Sequence, residues 1–117
     1  MSKELRKALF EAVHLNHVWP EELLANAKLP NYEYVHYTKL DDHLIVEMKF
    51  EDMYTKHCYA YYQFDLNEKL FKITIKQNDE VTVVYDRQIA IATAYLRLVE
   101  AEGEAVAKEV IEYSIAS

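Results

Sequence analysis

The chain has 117 residues and a formal net charge of −7, with 51% hydrophobic and 28% charged residues. Its length fits a single domain over 1–117 that can bury a hydrophobic core, and its composition excludes a disordered chain. The negative charge disfavours nucleic-acid binding, because that function needs Lys and Arg to displace counterions from phosphates.

The single cysteine, the single glycine and the lack of a long apolar stretch exclude further classes of protein. The one cysteine, Cys58, cannot form an intramolecular disulfide, so a reducing, cytoplasmic compartment is expected. The one glycine, Gly103, is too few for a glycine-rich phosphate-binding loop. No segment approaches the roughly 18 apolar residues of a membrane span, and charges interrupt the apolar positions near the N-terminus, so neither a span nor a signal peptide is expected.

The N-terminal region predicts two helices. Apolar residues recur at helical spacing from Lys3 and fade near His17, which indicates the first helix. The pair Trp19-Pro20 predicts a break, because the residue before a proline avoids the helical region. A short second helix then begins at Pro20 and ends at Pro30.

The hydrophobic period changes to two between Asn31 and Tyr85, which is typical of strands. The stretch from Met53 to Leu66 is rich in aromatic residues and lacks glycine and proline, so it predicts a long central strand. Pairs of turn-forming residues separate this strand from its neighbours. Five strands are predicted, near 32–39, 43–50, 54–65, 69–77 and 81–85.

A two-residue turn at Asn67-Glu68 predicts how the third and fourth strands pair, with Leu66 opposite Lys69. Because side chains alternate between faces, this pairing assigns every residue of the hairpin to one face. The face toward the core receives Phe64, Tyr62, Ala60, Phe71, Ile73 and Ile75. The face away from the core receives Gln63, Tyr61, Tyr59, Lys72, Thr74 and Lys76.

The turn at Asn78-Asp79 leaves two arrangements of the fifth strand open. A two-residue loop puts Val81, Val83 and Tyr85 on the face away from the core. A three-residue loop puts Val83 and Tyr85 on the core face instead.

A long helical segment is predicted after Asp86, and Gly103, which disfavours a helix interior, leaves a kink or break open there. The whole order predicts an α+β fold: a single antiparallel β-meander of about five strands, flanked by N-terminal helices and a long C-terminal helix packed on one face. The predicted inner stripe of the last helix is Ile89, Ala92, Leu96 and Val99. The residues expected to be largely buried are Phe64, Tyr62, Phe71, Ile73, Val46, Leu96 and Leu9.

Motifs for metal or covalent chemistry are weak. His14 and His17 have a spacing that suits one metal ion, but no further ligands complete a site, so no metal and no cofactor is predicted. Cys58 follows His57, yet neighbours in a strand point to opposite faces and cannot form a thiol–base pair. Cys58 is instead expected to be a small core residue.

The face away from the core is the predicted functional surface. Tyrosines combine an apolar ring with a polar tip and are enriched at binding surfaces, so this pattern predicts a small acidic adaptor that binds a protein through this face or through its helices. The predicted partner-binding residues are His57, Tyr59, Tyr61, Lys72, Thr74 and Val83.

A small-molecule-binding protein or an enzyme is the alternative, because a His–Glu pair beside tyrosines can transfer protons. A deep pocket would favour this alternative, and a flat or symmetric surface would favour the protein-binding hypothesis. The residues proposed for this site are His43, Glu47, His57, Tyr59 and Tyr61.

A homodimer is also predicted, because the strand Val81 to Tyr85 has apolar residues on both faces and such strands usually have both faces covered. A second copy meeting the first through a two-fold contact would cover the outer face. The competing arrangement is that the chain bends at Gly103 and the segment from Glu104 to Ile115 covers that face.

Overall fold

The computed structural model of the chain describes residues 2–116 and divides them into two compact units. The sheet unit is Asn16–Asp86, and the helical unit contains the described residues up to Leu15 and from Arg87 onward. The prediction of a single domain stays a prediction, as does the packing of the terminal helices on one face of the sheet.

The sheet unit contains a five-stranded antiparallel meander in which each strand pairs with its neighbours in sequence. This confirms the predicted α+β class and strand order, and the first two strands have their predicted bounds. A 3-10 helix, Pro20–Lys28, precedes the sheet where a short second helix was predicted. The strands are β1 (Tyr32–Lys39), β2 (His43–Phe50), β3 (Cys58–Asp65), β4 (Leu70–Gln77) and β5 (Glu80–Asp86).

The predicted start of the third strand near 54 is wrong, since β3 begins at Cys58. The carboxylate of Asp52 accepts hydrogen bonds from the backbone N–H groups of Tyr54 at 2.8 Å and Thr55 at 2.6 Å. These bonds fold the preceding residues into a turn that competes with strand pairing, and they lower the pKa of Asp52. Tyr54 is 89% exposed as a result.

The β3–β4 hairpin has the predicted pairing of Tyr62 with Ile73, but the predicted pairing of Leu66 with Lys69 is wrong, because the Asp65 N–H donates to the Lys69 carbonyl oxygen at 2.9 Å. Phe64 consequently lies opposite Leu70 rather than Phe71. The register shifts at this point, so Phe71 occupies a β-bulge and is only half-buried, which corrects its predicted burial. Leu70 is fully buried in its place. The aromatic period alone could not reveal the extra residue.

The β4–β5 turn is a two-residue loop, and both Asn78 and Asp79 have positive φ, at 50° and 68°. Val83 therefore lies on the face away from the core, opposite Thr74. A register shift then returns Tyr85 to the core face, opposite Ile73. Each of the two arrangements that the sequence left open thus describes one part of β5.

The core face of the sheet carries a cluster of buried side chains, and the 3-10 helix contributes Leu23 to it. The hydroxyl of Tyr37 on β1 donates to the carbonyl oxygen of Pro20 at 2.7 Å, which joins that helix to β1. The predicted burial of Val46 and Phe64 is confirmed. The buried sheet residues of this cluster are Val46, Met48, Ala60, Phe64 and Leu70, with Tyr62 and Ile73 partly buried against them.

The helical unit contains α1 (Ser2–His14), α2 (Arg87–Glu102) and α3 (Glu104–Ala116). The long predicted helix breaks at Gly103, whose φ of +93° is a conformation that side chains other than glycine rarely adopt. Its N–H donates to the carbonyl oxygen of Val99 at 2.8 Å and caps the end of α2.

The inner face of α2 differs from the predicted stripe. Leu98 is fully buried with Leu9 and Ala107, whereas Leu96 is 60% exposed, so the predicted burial of Leu96 is wrong. Ile89 and Ala92 of the predicted stripe are exposed with it. Because α2 is apolar on two sides, helical spacing alone does not identify the side that packs.

Candidate binding surface on the second face of the sheet

The side chains that alternate with the core residues lie on the opposite side of the sheet, which we call the second face. Strand register aligns one row of them across all five strands, from His36 through Glu47, Tyr61 and Thr74 to Val83. The adjacent row is Tyr34, Lys49, Tyr59, Lys76 and Val81. The next row includes Ile45, Gln63 and Lys72.

Tyr34 and Glu47 form the closest polar contact of the second face. The Tyr34 hydroxyl donates to Glu47 Oε2 at 2.5 Å, and the ring of Tyr34 stacks on His36 with 4.1 Å between ring centroids. The hydrogen bond to the carboxylate favours the neutral phenol and raises the pKa of Tyr34. Tyr34 is therefore a fixed donor with a defined ring position.

Lys49 is held on the same face by two contacts. Its ammonium group lies 2.8 Å from Glu33 Oε2 and 5.8 Å from the centroid of the Tyr59 ring. Glu33 is the extra residue at the register shift between Tyr32 and Tyr34, and its carboxylate lies beside this lysine. The hydrogen bond to Glu33 raises the pKa of Lys49, so the charge persists at neutral pH.

Tyr61 lies at the centre of the second face as the register partner of Glu47. Burial, followed by the negative charge of Glu47 and the neighbouring phenol of Tyr59, raises its pKa. The half-buried phenol therefore stays protonated at neutral pH and can donate a hydrogen bond to a partner.

The five residues proposed for a small-molecule site do not come together. Glu47, Tyr59 and Tyr61 are neighbours, but His43 lies four residues from Glu47 on β2, or about 13 Å along an extended strand. The His43 ring instead bonds Asp42 at 2.6 Å and contacts Phe71 edge-on.

His57 precedes β3 and is exposed. It lines a depression of about 340 Å³ at the turn end of the sheet, apart from the Glu47 row. The other residues that line this depression are Tyr59, Lys76, Asn78 and Asp79.

Tyr34 and His36 belong to the second face although sequence reasoning missed them. The signal was present in the turn at Asp41-Asp42, because continuing the pairing outward from this turn places His36 opposite Glu47.

The other motifs have structural roles. The His14 ring donates to the carbonyl oxygen of Ser114 within the helical unit, and the His17 ring packs edge-on against Tyr85 within the sheet unit. Over residues 2–116, no three His, Cys, Asp or Glu side chains cluster as metal ligands would. Cys58 is fully buried, as predicted, with its Sγ 3.3 Å from Gln77 Nε2.

No family model, curated protein or solved structure compared with the chain matches it. Within the described residues 2–116, no helix has both the length and the apolar character needed to cross a bilayer. Function is therefore inferred from the geometry of the surfaces.

Proposed function

We propose that this chain is a cytoplasmic protein-binding module that presents the second face of its sheet to a protein partner. The observation that carries the proposal is the continuous row from His36 to Val83 across the five strands. The row combines the aromatic side chains of His36 and Tyr61, the carboxylate of Glu47 and the methyl groups of Thr74 and Val83. Tyrosine buries a large area at a small cost in side-chain entropy, which suits it to protein recognition.

Pre-organisation supports this function. Tyr34 is held by Glu47, and Lys49 is held by Glu33 and Tyr59, so a partner meets side chains that are already ordered. Binding then loses less conformational entropy. The Tyr34 hydroxyl already donates to Glu47, and the raised pKa values of Tyr34 and Tyr61 disfavour the phenolate that proton abstraction would need.

Affinity capture from the native host, with bound proteins identified by mass spectrometry, tests the proposal. Tyr61→Glu places a second negative charge beside Glu47 and is expected to abolish capture of the specific partner. Tyr54→Glu is the matched control, because Tyr54 is exposed in a turn outside the second face. Circular dichroism checks that both variants fold. Retention of every captured protein by Tyr61→Glu would contradict this surface assignment.

A second copy of the chain is the alternative partner for this face, and the exposed Val81 and Val83 at its margin favour it. Light scattering across a dilution series measures self-association. We expect a dimer that Tyr61→Glu dissociates. A monomer at every concentration would exclude the homodimer, and a dimer indifferent to this substitution would place its interface elsewhere.

The helical unit offers a second candidate surface. Ile89 and Leu96 are exposed on α2 beside an apolar groove of about 550 Å³ that Ile91, Tyr95 and Ile111 line. Leu96→Lys is expected to abolish binding to a partner that uses this groove, whereas Tyr61→Glu would leave that binding intact. The two substitutions thus assign a captured protein to one surface.

A further inference from the structure

β5 forms one edge of the sheet, because within the sheet unit it pairs with β4 alone. Glu80 lies opposite Gln77 directly after the two-residue loop, so these residues exchange the first pair of ladder hydrogen bonds. Since alternate residues of an antiparallel strand bond to opposite sides, the backbone N–H and C=O groups of Val81 and Val83 point away from β4. These groups are a template for another strand.

The side chains of β5 make this edge apolar. Val81, Val83 and Val84 are 61%, 48% and 56% exposed. β5 carries Glu80 and Asp86 at its ends and a register shift after Val83, but the stretch from Val81 to Val83 contains no charge, no proline and no bulge, the features with which sheet proteins commonly prevent an edge from pairing. An exposed edge of this composition invites an added strand.

The other edge, β1, is protected. A bulge after Tyr32 interrupts its regular pairing, and it carries Glu33 and Lys39. The 3-10 helix also packs against β1, and Tyr37 bonds the carbonyl oxygen of Pro20. Only β5 therefore combines free backbone groups with exposed valines among the two edges.

Negative charge at one end of β5 indicates what kind of segment would bind this edge. Asp79 and Glu80 are exposed at the turn end of β5, and the chain carries a net charge of −7. A strand with lysine or arginine near this turn complements them. A second β5 fits less well, because antiparallel pairing over its full length sets Glu80 opposite Asp86 of the other copy.

We propose that the β5 edge binds an extended segment of another protein as a sixth strand, with β-branched residues beside Val81 and Val83 and basic residues near Asp79 and Glu80. Main-chain hydrogen bonds supply affinity in this mode of recognition, and the side chains supply specificity. The inference shares the side chains of Val81 and Val83 with the proposed function, because both lie at the margin of the second face. It differs in that affinity comes from main-chain hydrogen bonds along the edge of the sheet.

The test uses two fluorescein-labelled eight-residue peptides, Lys-Lys-Val-Thr-Val-Thr-Val-Lys and the same peptide with Glu in place of each Lys. Fluorescence anisotropy is expected to give saturable binding of the lysine peptide by the full chain and much weaker binding of the glutamate peptide. Val81→Pro removes one outward N–H without touching the β4 ladder and is expected to weaken binding about tenfold. Glu80→Lys is expected to weaken the lysine peptide and strengthen the glutamate peptide.

Tyr61→Glu separates this inference from the proposed function, because it alters the second face and is expected to leave peptide affinity unchanged. Loss of peptide binding in folded Tyr61→Glu, or equal affinity of the two peptides, would overturn the edge assignment. No binding of either peptide by the folded wild-type chain would overturn it as well. A wild-type dimer that Val81→Pro dissociates would show that the edge takes a second copy instead.

Discussion

The two faces of the sheet are made from the same strands but have different chemistry. On β2, Val46 and Met48 are fully buried, whereas Glu47 and Lys49, which alternate with them, are half-buried and make polar contacts. Strand alternation thus gives one face the buried apolar side chains and the other face polar contacts near the surface. Substitutions on the two faces should have separable effects, and four measurements test this separation.

The largest effect is expected on the core face. Phe64→Ala leaves a cavity at a fully buried position and should lower the free energy of unfolding by about 3–5 kcal/mol. Leu66→Ala, at an exposed position in the adjacent turn, is the control and should change it by less than about 0.5 kcal/mol. Denaturant titrations measure both. Similar losses for the two variants would show that Phe64 does not anchor the core.

A smaller effect is expected on the second face. Tyr34→Phe removes the hydrogen bond to Glu47 while it keeps the ring, so the free energy of unfolding should fall by about 1–2 kcal/mol. The same titration measures it. A loss as large as that of Phe64→Ala would contradict the separation of the two faces.

Alkaline pH should destabilise the second face in a specific way. The pKa of Tyr34 is raised in the folded state, so its contribution is complete below the unfolded pKa near 10 and is lost as the pH rises above that value. One proton accounts for at most about 1.4 kcal/mol per pH unit.

The pH dependence of unfolding above pH 10 should therefore be shallower in Tyr34→Phe than in the wild type. It should not vanish, because the pKa values of Tyr37, Tyr61, Tyr62 and Lys49 are also raised. Urea titrations between pH 9 and about 11 measure the slopes. Equal slopes would show that the Tyr34 hydroxyl does not donate to Glu47 in solution.

The smallest effect is expected from the ion pair of Lys49 with the exposed Glu33. A double-mutant cycle with Lys49→Met and Glu33→Gln should give a coupling energy of about 0.2–1 kcal/mol, and added salt should reduce it. A coupling well above this range would show that the pair of Lys49 with Glu33 is not a weakly coupled surface ion pair.

Much of the sheet could be predicted because alternate residues of the central strands β2 and β3 are buried. In β2, a slip of one residue would expose Val46 and bury Glu47, so the alternating pattern defines the register strongly. The predicted start of the third strand was too early because the Asp52 side chain organises a turn there. Hydrophobic periodicity carries no information about such side-chain to backbone hydrogen bonds.

Phe71 and Leu96 were predicted to be buried from hydrophobic spacing alone, and the tertiary structure leaves both at least partly exposed. A bulge inserts one residue at Phe71, and bulges follow from local turn geometry rather than from hydrophobic spacing. Leu96 lies on one of two apolar sides of α2, and only the packing of Leu98 against α1 and α3 identifies the inner side.

The candidate surface could be predicted in part. Tyr59, Tyr61 and Thr74 come together because they share parity in a hairpin whose central pairing was predicted correctly, although its turn is longer than the predicted two residues. His43 and His57 share that parity too, but they lie at positions along their strands that are distant from Tyr61. Parity assigns a face, whereas proximity also requires the register between strands.

The discontinuity of the helical unit has a consequence for synthesis on the ribosome. Its α1 leaves the ribosome before the sheet unit, but Leu98 and Ala107, against which Leu9 packs, emerge only after the whole sheet unit. The sheet needs only contacts between sequential strands, which form quickly and can be completed while the chain is still growing. Throughout that interval the apolar side of α1 stays exposed because Leu98 and Ala107 have not yet been synthesised. We therefore expect α1 to be a binding site for a chaperone that acts on nascent chains.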